Sequence, residues 1–125
     1  FTAWNGNTDP SRYGWNANAD KYMARLKPGC WRFIHRMHRG KYLAFGQSEN
    51  VVTVERIDSN GQVRQTETGC FGIDLHKGGI TGTSSEGCNT VPVGQWDAFY
   101  QELRGTMRKL AVSTFDFVLI DGPIN

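Results

Sequence analysis

Residues 31 to 38 alternate, with Trp31, Phe33, His35 and Met37 set against Arg32, Ile34, Arg36 and His38. A period of two is the mark of a strand with its faces in different surroundings. The Pro28-Gly29 step before it suits a type II turn, in which Pro presets the first central angle and Gly supplies a positive second one. Further strands read at "KYLAFGQ" and "NVVTVERI", and Asn60-Gly61 in "DSNG" reads as a hairpin turn into "QVRQTE". "GCFGIDLH" reads as one more strand, ending at His76. From Trp96 the period changes: Phe99, Tyr100, Leu103, Met107 and Leu110 fall on one helical face, predicting an amphipathic helix over 95–111. Gly94 is the expected N-cap, with Asp97 in the first turn and Arg108 and Lys109 in the last, where they complement the helix dipole. "TFDFVLID" closes the chain as an apolar strand expected in a sheet interior and stopped by Gly122-Pro123. The first 30 residues, with turn chemistry at Asn5-Gly6 and Asp9-Pro10, read as a short strand and a long ordered loop. The sum is a mainly β, β-rich α+β chain: largely antiparallel sheet with one substantial helix late in the sequence.

Composition adds limits rather than elements. The 125 residues, 38% hydrophobic and 21% charged, suit one domain over 1–125, and a start at Phe1 fits a piece excised from or processed out of a longer chain. A net charge of +2, with basic residues scattered among acids, does not point to nucleic acid. No apolar run approaches the roughly 18 residues that span a bilayer, and a monomer is expected. Of the three cysteines, Cys30 and Cys70 adjoin Trp31 and Phe71 and read as buried small hydrophobes, with a disulfide between them open in an oxidising compartment. Cys88 lies at the end of a polar loop.

That loop, "HKGGITGTSSEGCNT", carries the candidate chemistry. Cysteine attacks as thiolate, and an imidazole can serve as its base or as its ion-pair partner. If the loop folds back, His76 meets Cys88; Gly87 lets the backbone pass close to a substrate, and amides around Glu86 to Cys88 would hold an oxyanion. Asp74 shares a strand face with His76 and is placed to orient its ring. His35 and His38 have an odd separation and face opposite sides; His38, between Arg36 and Arg39, is the one placed to face substrate. Two rival readings exist. Cys70, His76 and Cys88 with His35 or His38 offer soft ligands for zinc, though without a metal-binding spacing. Trp4, Tyr13, Trp15 and Tyr22 would suit a non-catalytic glycan or cell-wall binding module.

"GIDLH" followed by "SSEGC" resembles the signature of the L,D-transpeptidase family, in which a strand ends in a catalytic His and a loop returns to a Ser/Thr-His-Gly-Cys segment. The likeness extends over about residues 69–121 and includes the order of strands, helix and closing strand. It implies an antiparallel sheet or sandwich, with Cys88 as nucleophile and His76 as base and acid. Ser85 and Gly87 match the family's loop residues, and the Lys77 carbonyl orients the imidazole. Glu86 stands where the family has a histidine, which places a carboxylate beside the thiol and raises its pKa unless it turns away. The implied substrates are peptidoglycan stem peptides, cut at L,D-peptide bonds through a thioester without cofactor or metal. The implied place of action is the periplasm or cell envelope of a bacterium. "GNTDPS", "LKPGCW" and "SSEGCNTVPVGQWDAF" are also similar to phage and prophage proteins, a setting in which hydrolysis is the more common need than transpeptidation.

Overall fold

A computed structural model describes residues 2–4, 6–11, 22–48, 50–80 and 85–122. Within them the chain runs β1 (Met23–Leu26), β2 (Gly29–His38), β3 (Tyr42–Gln47), β4 (Val52–Ile57), β5 (Val63–Gly69), β6 (Asp74–Lys77), β7 (Asn89–Val91), α1 (Val93–Lys109) and β8 (Thr114–Leu119). The strands form a three-stranded sheet, β1-β4-β5, and a five-stranded sheet, β7-β6-β3-β2-β8. The protein is therefore mainly β, with two sheets and one helix among the described residues.

The alternation of β2 governs how the larger sheet is covered. Phe33 and His35 face α1: Phe33 stacks on Phe117 at 5.0 Å, and His35 Nε2 meets the Tyr100 hydroxyl at 2.8 Å. Phe45, paired in register with His35, is fully buried among Trp96, Phe99, Tyr100 and Phe115. The helical stripe read from the sequence is thus the lid of this aromatic core. The helix begins two residues before its predicted start, with Pro92 and not Gly94 at the N-cap, so Asp97 falls beyond the first turn. At its other end Ala111 takes a left-handed φ of 53°, and the Val112 amide reaches back to the Met107 carbonyl at 3.0 Å, closing the helix without a glycine.

Four further expectations change. Gly29 is not among the left-handed residues, so no type II turn forms there; the short link instead carries the chain from β1 in one sheet to β2 in the other. β8 pairs with β2 alone and lies at an edge, its side chains alternating between half-buried and exposed, because its apolar residues need cover only on the helix side. Cys30 and Cys70 are both exposed and unpaired. Cys30 lies opposite the exposed Val118 on the outer face, and the Cys70 thiol donates to the Ser48 carbonyl. Lastly, "GCFGIDLH" is not one strand: Gly69 ends β5, and β6 takes up only its last three residues, from Asp74. The DSNG hairpin does form: the Gly61 amide donates to the Asp58 carbonyl at 2.9 Å, Gly61 has a φ of 79°, and β4 and β5 pair antiparallel on either side. At the start of the chain, Asn7 bridges Thr90 of β7 through two backbone bonds, and the Ser11 amide donates to the Ser85 carbonyl. Of the long loop read before residue 30, positions 12–21 lie outside the described residues.

No helix among the described residues is long and apolar enough to cross a membrane.

Candidate active site

β6 and β7 run parallel, with Leu75 opposite Asn89 and His76 opposite Thr90. This ladder places the residue before Asn89, Cys88, next to the start of β6. The Asp74 amide donates to the Cys88 sulfur at 3.3 Å, and the Gly72 carbonyl lies 3.9 Å from it. Behind the thiol, the fully buried Ser85 hydroxyl donates to the Cys88 carbonyl at 2.6 Å and accepts from the Gly87 amide at 3.1 Å. The Gly87 amide, expected to be available for an oxyanion, is therefore committed to Ser85. Gly87 also packs against β1: a Cβ there would lie 3.0 Å from both the Cβ and the carbonyl oxygen of Ala24.

The side chains of β6 alternate, so Asp74 and His76 share a face. Asp74 does not orient His76, as the spacing suggested. Its Oδ2 accepts from His38 Nδ1 at 2.6 Å, and its Oδ1 lies 3.6 Å from Arg36 Nε. His38 is buried, contrary to an exposed position between two arginines, and its ring stacks on that of His76 with centroids 4.0 Å apart. His76 Nδ1 donates to the Lys77 carbonyl at 2.8 Å, with the Tyr42 hydroxyl 3.2 Å away. A backbone carbonyl can only accept, so a neutral His76 holds its proton on Nδ1 and keeps a lone pair on Nε2, while His38 turns its Nδ1 to the Asp74 carboxylate. Neither ring is hydrogen-bonded to Cys88.

A cleft of about 350 Å³ opens over the thiol at the junction of the two sheets. Cys88, Gly87 and Glu86 form one wall, His38 and Arg39 another, and Arg56 with Phe71 the outer rim. His76 does not reach this surface; the imidazole that does is His38. Glu86 lies 3.7 Å from Arg39 Nη2, so its carboxylate is directed to the arginine.

Burial dominates the electrostatics. It pushes the Cys88 thiol up to about 11; the Asp74 amide, Arg39 and Arg36 pull the other way, and the Asp74 carboxylate adds to the rise. His76 is pushed down to about 4, again chiefly by burial, with the Lys77 carbonyl opposing and neighbouring His38 adding to the fall. At neutral pH Cys88 and His76 are thus a neutral thiol and a neutral imidazole, not the ion pair that the sequence left open.

Several residues of the site were not singled out from the sequence. Tyr42 is placed by the tight β2–β3 turn, which sets it opposite His38. Gly46, in register with Asp74, has no side chain, and a Cβ there would collide with Asp74 Oδ1 and lie 2.9 Å from the Ile73 carbonyl. Gln47, fully buried, accepts from the Phe71 and Ile73 amides and donates to the Asn50 and Gly69 carbonyls, fixing the segment that leads into β6. A glycine and a glutamine closing an otherwise apolar strand pattern are the signals that could have marked them.

The zinc ligands read from the sequence are not brought together among the described residues. Among the described residues no group of three or more His, Cys, Asp or Glu side chains is placed to hold a metal ion, and Cys70 is exposed on the Ser48 carbonyl. Of the aromatic cluster near the start of the chain, Trp4 and Tyr22 are exposed, while Tyr13 and Trp15 lie outside the described residues. No family model, curated protein or solved structure matches this chain.

Proposed function

We propose that the protein is a cysteine-dependent enzyme of the L,D-transpeptidase type that cuts L,D-peptide bonds in peptidoglycan stem peptides through a thioester. The observation that carries the reading is a thiol at the wall of a cleft shared with an imidazole whose far nitrogen is fixed on a carboxylate, His38 on Asp74 at 2.6 Å. This is the arrangement that a neutral thiol needs: a base oriented by a third group, with its free nitrogen left for the proton. Cys88 loses its proton to imidazole as its sulfur bonds to the scissile carbonyl carbon. The C–N bond then breaks, the imidazolium returns the proton to the leaving amine, and water hydrolyses the thioester to restore the thiol. His38 replaces His76 as the base on the cleft wall; His76, anchored on Lys77 and stacked behind, holds the His38 ring in place. Hydrolysis is preferred over transfer to an amine, in keeping with the phage-like segments of the sequence. The site of action is the bacterial cell envelope.

Incubation with purified tetrapeptide muropeptides and mass analysis, with and without an added D-amino acid, tests this. Loss of the terminal residue is expected, abolished by Cys88→Ala and slowed about 10²- to 10⁴-fold in kcat/KM by His38→Gln, the usual range for a general base. No change in any muropeptide would sink the proposal. Cell-wall binding that persists without turnover, and is indifferent to Cys88→Ala, would favour a binding module instead.

A further inference from the structure

The edges of the two sheets differ in how they are protected. β5 is polar throughout, with Arg64 and Glu67 along it, and its side chains are largely exposed to water. β7 is bridged by Asn7 at Thr90, and Gly87 packs against Ala24 of β1. β8 has neither device. Among the described residues it pairs with β2 alone, and its sequence, TFDFVL, carries a single charge and no proline or glycine. Open edges are normally blunted by charge, by proline or by a covering segment, because their free N–H and C=O groups recruit another strand.

The side chains of β8 give a second indication. Phe115, Phe117 and Leu119 belong to the core, the two rings resting on Phe33 and Phe45 of the neighbouring strands, yet all three remain only partly buried. On the other face Val118 is 59% exposed, with the exposed Cys30 opposite it on β2, and Asp116 lies 3.6 Å from Arg32 with both side chains more than half exposed. Apolar surface thus reaches the open edge on both faces of this strand.

We infer that β8 pairs antiparallel with β8 of a second copy of this chain, giving a two-fold dimer with one continuous sheet across both subunits. This is independent of the proposed reaction. In such a pair a residue and the one opposite it share a face, which leaves few registers. Centring on Phe117 sets Phe117 against its own copy, Phe115 against Leu119 and Asp116 against Val118, so five of the six strand residues pair and no like charges meet. Centring on Asp116 puts two carboxylates directly opposite, which is unfavourable, and centring on Val118 pairs only Phe117 to Leu119. The strand is therefore self-complementary in the first register: apolar residues meet on the core face, while Asp116 keeps Arg32 as its ion partner on the other. A contact made by one short strand is at the small end of protein interfaces, so the monomer expected from the sequence is the dilute form.

Sedimentation equilibrium of the natural sequence from about 1 μM to about 1 mM, with reductant present to keep Cys30 a thiol, is expected to show a reversible monomer–dimer equilibrium. Two substitutions at the exposed Val118 then test the register without putting folding at stake, which urea unfolding at the dilute end verifies. Val118→Lys sets a cation against Asp116 of the second copy, and Val118→Asp sets an anion there, each twice per dimer by symmetry. Cross-strand charge pairs are worth a few-fold each, so the dissociation constant should fall about tenfold for lysine and rise about tenfold for aspartate. Lysine adds to the net charge of +2, so general repulsion between copies acts against this order. A protein that stays monomeric over the whole range, an assembly larger than a dimer, or two variants whose dissociation constants lie within about threefold of each other overturns pairing through β8.

Discussion

At the scale of single residues, the chemistry of Cys88 is set by what surrounds its sulfur: burial disfavours the thiolate more strongly than one amide and two arginines favour it. With its pKa pushed up to about 11, the thiol is protonated at neutral pH, and the proposed reaction needs a base that acts during the attack. Alkylation of Cys88 is therefore expected to be slower than that of an unfolded cysteine at pH 7 and to climb steadily toward pH 11. The measurement needs Cys30→Ser and Cys70→Ser in the background, since both of those thiols are exposed and would react first. A labelling rate that levels off below pH 8 would point to a stabilised thiolate and contradict this account. An anion beside the nucleophile was legible in the sequence, but not its identity. Glu86 adjoins Cys88 along the chain, yet its carboxylate lies by Arg39, whereas Asp74, fourteen positions away, approaches across the β6–β7 ladder.

At the scale of elements, local period was readable and strand partnership was not. The alternation in β2, the Asn60-Gly61 hairpin and the helical stripe from Trp96 each rest on interactions within a few residues, and each is present. The separation of β1 from β2 into different sheets and the edge position of β8 depend on pairings between distant segments, which no local pattern encodes. The same limit hid the role of His38. Its neighbours in sequence are arginines, but β3 lies between its strand and β6, and the side chains meet only because Gly46, the β3 residue facing Asp74, leaves the space above it open. Gly46→Ala is expected to force the Asp74 carboxylate away from His38. The cost should be about 1–3 kcal/mol, the usual range for overpacking a closed site. Urea unfolding would measure that loss, and activity should fall further than stability does, because the oriented imidazole is lost even in molecules that remain folded.

For the whole molecule, the buried histidine of β6 links folding to pH. His76 is 3% exposed, and its pKa is lowered from 6.5 to about 4, so the unfolded chain binds a proton that the folded one refuses throughout that interval. Stability should then fall as pH drops from 6.5 to 4, with up to roughly 3 kcal/mol at stake from this one group. Cys88 acts in the opposite direction at the other extreme. Its pKa is raised, so the folded state keeps a proton that the unfolded state releases, and stability should decline between about pH 9 and about pH 11. Chemical denaturation across pH 4–7 for the natural sequence and His76→Gln separates this histidine from the carboxylates. The acid-side slope should be shallower in the variant, and identical slopes would remove His76 as the source.

The parallel pairing of β6 with β7 also bears on how such a chain can change over time. Because Leu75 lies opposite Asn89, the Asp74 amide holds the Cys88 sulfur and the Ser85 hydroxyl holds the Cys88 carbonyl, Cys88 takes its position from the ladder and from the last residues before it. The chain between the two strands carries Ile80, which is 90% exposed, and lengthening a connection costs only about 0.6 kcal/mol per doubling of its length. Two glycines inserted after Ile80 should therefore leave turnover of a small peptide in the proposed reaction within about twofold, as digestion of soluble muropeptides would show. Length at this point is thereby uncoupled from the placement of the thiol, and the chain can grow there over time without disturbing the ladder that holds Cys88.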